Sequence, residues 1–169
     1  RAIFFYGGNY AKIHNNVFEG QGMIMHVGLA QNSNFWDTGA DDSTTWYSPV
    51  APIVKDNHFV DYVGVTGAHV LFMSGAIDIT VTGNKITGMN QPGATGIYIY
   101  SNDLGLTDVS GVPRLIMGGE VSGNTVDGVF DNAMRLVGYS TVATTQIHLL
   151  ELDVHSNNLR GTGAGIFIE

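Results

Sequence analysis

One figure recurs five times in this chain and limits what it can fold into. It reads as an aliphatic residue, two residues, Asn, one residue, then an aliphatic or aromatic residue. The copies are Ile13…Asn16…Phe18, Val54…Asn57…Phe59, Val81…Asn84…Ile86, Val121…Asn124…Val126 and Val154…Asn157…Leu159. Self-similarity of this kind decides architecture before any single residue is given a role. The asparagines stand 41, 27, 40 and 33 residues apart. The shortest interval suits one turn of a solenoid, and the longer ones equal such a turn plus visible insertions.

Each copy is followed by a second apolar segment, as Val81–Gly88 is followed by Gly96-Ile97-Tyr98-Ile99-Tyr100. Short strands bounded by Gly and Asn turns also fit a β-sandwich. A sandwich, however, gives no reason for Asn at one place in successive units. In a parallel β-helix equivalent residues stack about 4.8 Å apart. An Asn there tolerates a left-handed turn and bonds to its neighbour's amide in a ladder. No helical period competes.

These five copies resemble the right-handed parallel β-helix repeats of the pectate-lyase-like superfamily. The resemblance implies an all-β, single-stranded solenoid of about five to six coils over residues 1–169. Two inserted loops interrupt it, at about 29–52 and 101–114. The chain stops on Ile166-Phe167-Ile168-Glu169, which reads as the middle of a strand, and neither end shows a polar or atypical cap, so a fragment of a longer solenoid is expected. The family resembled includes polysaccharide lyases, glycoside hydrolases, sugar epimerases and bacteriophage tailspike depolymerases. The repeat is structural, so the likeness carries over no catalytic residue.

Composition excludes several function classes. A net charge of −8 argues against a nucleic-acid partner, which needs clustered Lys and Arg. No apolar run approaches the twenty or so residues of a membrane-spanning helix. Cysteine is absent, so disulfides and thiolate metal sites are unavailable. This suits an extracellular protein, secreted or on a virion surface. The 23 glycines, without a collagen period, mark many tight turns.

Strand alternation turns the repeat into a map of faces. In the first strand of each unit Ile13, Val54, Val81, Val121 and Val154 point inward. The residues before them form one outward column, Lys12, Ile53, Thr80, Glu120 and Asp153. Those after form another, His14, Lys55, Thr82, Ser122 and His155. In the second strand Met25, Phe72, Ile99, Leu136 and Ile168 are expected inside, flanked outside by Ile24, Leu71, Tyr98, Arg135 and Phe167, and by His26, Met73, Tyr100, Val137 and Glu169.

The map selects candidates. Glu120 and Asp153 should sit on adjacent coils with carboxylates roughly 5 Å apart, a separation that suits a retaining glycosidase. His155 shares their face and could act as a base. The competing reading is solvated surface charge. Tyr98, Tyr100 and Arg135 project outward and could bind a sugar and its carboxylate; equally, a loop or a neighbouring subunit could cover them. Trp36, Asp37 and Trp46 lie in the inserted loop, where a repeat scaffold places specificity. The alternative is that the tryptophans pack the loop down. The histidines form no metal motif and no cofactor is expected, Asp41-Asp42 giving only a weak Ca²⁺ signal.

The leading expectation is an extracellular polysaccharide-degrading or polysaccharide-binding β-helix acting in a groove on its flank. The alternatives are a non-catalytic segment of a homotrimeric fibre and a sugar epimerase.

Overall fold

The computed structural model describes residues 3–6, 10–19, 25–28, 30–31, 46–47, 50–63, 69–74, 76–103, 117–140 and 150–169. They form an all-β structure of parallel sheets. After β1 (Ile3–Tyr6), the chain runs through β2 (Lys12–His14), β3 (Val17–Glu19) and β4 (Met25–Gly28). Two short strands follow, β5 (Ala30–Gln31) and β6 (Trp46–Tyr47). The next three are β7 (Ile53–Lys55), β8 (His58–Val60) and β9 (His69–Ser74). Then come β10 (Ile77–Thr82), β11 (Lys85–Asn90) and β12 (Thr95–Asp103), followed by β13 (Met117–Ser122), β14 (Thr125–Val129) and β15 (Asn132–Ser140). The last are β16 (Leu150–His155), β17 (Asn158–Gly161) and β18 (Ala164–Ile168).

With the two loop strands β5 and β6 set aside, strands three apart in this order become neighbours. One sheet runs β1-β4-β9-β12-β15-β18, a second β2-β7-β10-β13-β16 and a third β3-β8-β11-β14-β17. Every pairing within these three sheets is parallel. We call them the A, B and C sheets in that order. Each pass of the chain therefore visits B, then C, then A, an arrangement consistent with a parallel β-helix.

The predicted inward column is the core. Val54, Val81 and Val121 are fully buried, with Phe59, Ile86 and Val126 beyond the corner and Ile97 and Ile99 on the A sheet. Phe18 stacks on Phe59 at 5.1 Å. Adjacent passes thus present like side chains to one another, which fills the interior at strand spacing without size mismatch.

The asparagines bind it from pass to pass. The Asn84 side-chain amide donates to Val54 O of the previous pass (2.9 Å) and to Asn124 Oδ1 of the next (3.0 Å). Its own Oδ1 accepts from the backbone N–H and the side-chain amide of Asn57, both at 3.1 Å. The pattern repeats from Asn16 to Asn157. Only a short amide supplies two donors and a two-lone-pair acceptor at this reach. That explains Asn at a position buried to 0–1% exposure in the three central copies.

The left-handed turn expected at the ladder Asn falls one residue earlier. Asn15, Asp56, Gly83, Gly123 and Ser156 have φ of 53–65°. A matching column opens the B strands, where Tyr10, Ala51, Asp78, Gly118 and Glu151 have φ of 49–71°. The ladder geometry needs the Asn amide aimed along the axis, so the residue before it makes the bend.

The register corrects the expected face map on the A sheet. Phe72 pairs with Tyr98 and stands outside, while Met73 pairs with Ile99. Leu71 and Met73, expected outside, are fully buried. Val70–Met73 is an unbroken apolar run, so alternation carries no phase there. Met25 pairs with Leu71, and His26 with Phe72, so Met25 is offset by two from the column expected for it. Val137, also expected outside, is 4% exposed. The second loop begins later than expected, because β12 continues to Asp103 alongside Gly138–Ser140. The first loop contains an antiparallel pair, Ala30–Gln31 with Trp46–Tyr47.

Candidate functional site

Two groups of side chains stand on the outward faces. The first is on the B sheet, at β13 and β16. Glu120 pairs in register with Asp153, and Ser122 with His155. All four project from the same face because residues two apart on a strand do so. His155 Nε2 lies 3.3 Å from Glu120 Oε1 and 3.8 Å from Asp153 Oδ2. The Ser122 hydroxyl donates to the same Oε1 of Glu120. His155 Nδ1 meets Ser156 Oγ at 3.0 Å.

Oε1 of Glu120 is therefore held by two neighbours. The Asp153 side chain is 72% exposed, and those of Glu120 and His155 are about half exposed. Chemically, the cluster sets two carboxylates on adjacent strands with an imidazole between them. The structure brings together Glu120, Asp153 and His155, which the sequence map places on one face. The map puts Ser122 in the right column but gives it no role, since nothing in the chain marks one serine as a partner for a carboxylate.

The second group is an aromatic and cationic ladder on the A sheet. Phe72, Tyr98, Arg135 and Phe167 occupy one register column on β9, β12, β15 and β18. Phe72 and Tyr98 stack at 5.0 Å with an interplanar angle of 25°. The Arg135 guanidinium sits 5.3 Å from the Tyr98 ring centre and 5.4 Å from that of Phe167. Its Nη2 pairs with Glu169 at 2.5 Å. His69 meets Tyr98 edge-on at 4.4 Å, and Tyr100 lies 5.7 Å from Tyr98.

Burial raises the Tyr98 hydroxyl pKa, with Arg135 opposing. The bond to Glu169 raises that of Arg135. These contacts change what the ladder can do. Phe72 lies on the strand before Tyr98 and Arg135 on the strand after, so both faces of Tyr98 rest on neighbours. A sugar would meet the Tyr98 edge and hydroxyl rather than a free ring face. Phe167 remains 40% exposed.

The two groups lie on different sheets. Trp36 and Asp37 fall outside the described residues, as do Asp41 and Asp42; Trp46 begins β6, and its side chain is not described. Among the described residues no cluster of His, Asp or Glu is arranged to hold a metal ion. No described helix is long and apolar enough to cross a membrane.

No family model matches this chain, and neither a curated protein nor a solved structure matches it.

Proposed function

We propose that the chain is a segment of a right-handed parallel β-helix, similar to the pectate-lyase-like repeats, that binds and cleaves an extracellular polysaccharide. The rotation of strands through three parallel sheets and the asparagine ladder support the architecture. The observation that carries the activity is the register pairing of Glu120 with Asp153, with His155 in contact with both.

In this reading one carboxylate attacks the anomeric carbon while the other protonates the departing glycosidic oxygen. Water then releases the glycosyl group, with the second carboxylate taking its proton. His155, in contact with both carboxylates, orients them for these roles. Tyr98, Tyr100, Arg135 and Phe167 offer a second surface for the chain of sugars, and Trp36, Asp37 and Trp46 in the inserted loop contribute to specificity.

The test is to make Glu120→Gln and Asp153→Asn singly and to assay new reducing ends on a panel of capsular and plant polysaccharides. Each variant is expected to lose at least 100-fold in turnover while keeping its fold, since acid–base groups contribute roughly 10²–10⁴-fold. Unchanged turnover of a substrate cut by the wild type would remove the pair from the mechanism. An unsaturated product end would assign elimination, with His155 as the base.

A second reading, a non-catalytic segment of a homotrimeric fibre, is favoured by one observation. The ladder places Phe167, 40% exposed, beside Tyr98 and Arg135 on one outward face, the kind of apolar patch that marks an interface. Light scattering after size exclusion separates the two, because a stable monomer counts against the fibre.

A further inference from the structure

On β13, Glu120 and Ser122 stand two residues apart, and the fully buried Val121 lies between them. Their side chains therefore share the outward face. No other described strand of the B sheet carries a carboxylate and a hydroxyl at these two positions. β2 has Lys12 and His14, β7 has Ile53 and Lys55, β10 has Thr80 and Thr82, and β16 has Asp153 and His155.

Ser122 is firmly anchored. Its carbonyl accepts from the Gly83 N–H at 3.0 Å, and Asn124, two residues on, is locked into the asparagine ladder. Although it belongs to an outward column, Ser122 is only 8% exposed. A hydroxyl so far from solvent needs a partner within the protein, and the Glu120 carboxylate supplies it.

The contacts treat the two carboxylates differently. Among the described residues, Glu120 is held through Oε1 alone, by the Ser122 hydroxyl and by His155 Nε2 at 3.3 Å. Its second oxygen, Oε2, is left for a substrate. Asp153 meets the protein only where its Oδ2 lies 3.8 Å from His155, and its side chain is 72% exposed. One carboxylate is fixed and the other loosely held.

Building on the glycoside-cleaving reading above, we infer that Ser122 positions Glu120 as the nucleophile and leaves Asp153 as the proton donor and acceptor. By pinning Oε1, the buried hydroxyl presents Oε2 to the anomeric carbon. A bond forms from Oε2 to that carbon as the glycosidic C–O bond breaks, and the departing oxygen takes its proton from Asp153. Water then attacks the same carbon, gives a proton to Asp153 and releases Glu120 with its carboxylate restored. The attacking oxygen must stay in line with one bond, where a misplacement of about 1 Å costs about 100-fold in rate. The proton-transfer group serves first the leaving oxygen and then a water, a task that suits an exposed, loosely held side chain.

The experiment takes a polysaccharide that the wild type cuts and reads kcat and KM separately for Ser122→Ala, Ser122→Val and Ser122→Thr. Val and Thr are both branched at Cβ and suit a strand, so they differ chiefly in the hydroxyl. Ser122→Ala and Ser122→Val should lose about 10- to 100-fold in kcat. KM should change by less than about twofold, since only the reacting geometry is altered. Ser122→Thr should recover most of the loss. In parallel, the wild type is treated with a glycosyl fluoride carrying a second fluorine beside the anomeric carbon, which slows release of the sugar from the enzyme. Peptide mass spectrometry should then find the sugar on Glu120. Label on Asp153, cleavage with no label, a wild-type kcat in Ser122→Val, or equal losses in Ser122→Val and Ser122→Thr would overturn the assignment and leave glycoside cleavage standing. A wild type that neither releases new reducing ends nor takes up label would overturn glycoside cleavage, and the assignment with it.

Discussion

Asn84 and Asn124 share two hydrogen bonds through a single oxygen. The Oδ1 of Asn124 accepts both the backbone N–H and the side-chain amide of Asn84, each at 3.0 Å and each out of contact with solvent. Removing either side chain therefore strands donors and an acceptor on the preceding pass and takes one donor from the Oδ1 of the next.

Asn84→Ala should cost about 3–5 kcal/mol, because it takes the side-chain partner from Val54 O and from the two Asn57 donors and leaves Asn124 Oδ1 with only the backbone N–H of residue 84, where water cannot replace them. Asn157→Ala should cost about 1–2 kcal/mol, since Asn157 is only partly buried. Urea denaturation of the two variants measures the contrast. Equal costs would mean that burial does not set the ladder's contribution.

Gly119→Ala should destabilise by more than about 2 kcal/mol. A Cβ there would lie 2.2–2.9 Å from three backbone atoms of Ile79, at a φ of 115°. Backbone atoms cannot rotate away as a side chain can, so relief requires separating β10 from β13. The loss should appear in the thermal midpoint and in exchange of the β10 amides.

Arg135→Ala should lower stability by about 1–2 kcal/mol through lost packing between Tyr98 and Phe167. The Arg135–Glu169 pair itself should contribute under about 1 kcal/mol in a double-mutant cycle, because both side chains are substantially exposed. Arg135→Lys should recover little, since an ammonium does not lie flat between two rings.

Ala51→Gly should stabilise the protein. Ala51 holds φ at 49°, a conformation that costs a residue with a Cβ about 1–2 kcal/mol. The extra freedom that Gly brings to the unfolded chain offsets part of this, leaving a gain of about 0.5–1 kcal/mol. Differential scanning calorimetry should register it as a rise of roughly 1–4 °C.

The asparagine repeat made the B and C strands legible from residue order alone, including the pairing of Glu120 with Asp153. It did so because one buried amide per pass must align for any of them to be satisfied. The A sheet was less legible. Its strands follow turns of unequal length, and Val70–Met73 is apolar throughout, so neither spacing nor alternation sets which of Leu71 and Phe72 faces in. The ladder of Phe72, Tyr98, Arg135 and Phe167 was consequently found in pieces. Ser122 escaped notice for a different reason, as its partner lies two residues along its own strand and leaves no periodic trace. The bend before each Asn also varies freely in residue type, from Gly83 to Asp56 to Ser156, because only its backbone angle is prescribed.

The corner between the B and C sheets never varies, with two residues at 15–16, 56–57, 83–84, 123–124 and 156–157. From A back to B the chain is free to differ, taking 75–76 in one pass, 104–116 in another and 141–149 in a third. Variation in length is thus confined to the return from A to B, while the corner from B to C keeps two residues in every pass. New segments grafted at 104–116 or 141–149 should leave every ladder asparagine in place. One extra residue at 83–84 would move Asn84 out of line and sever the stack on both sides.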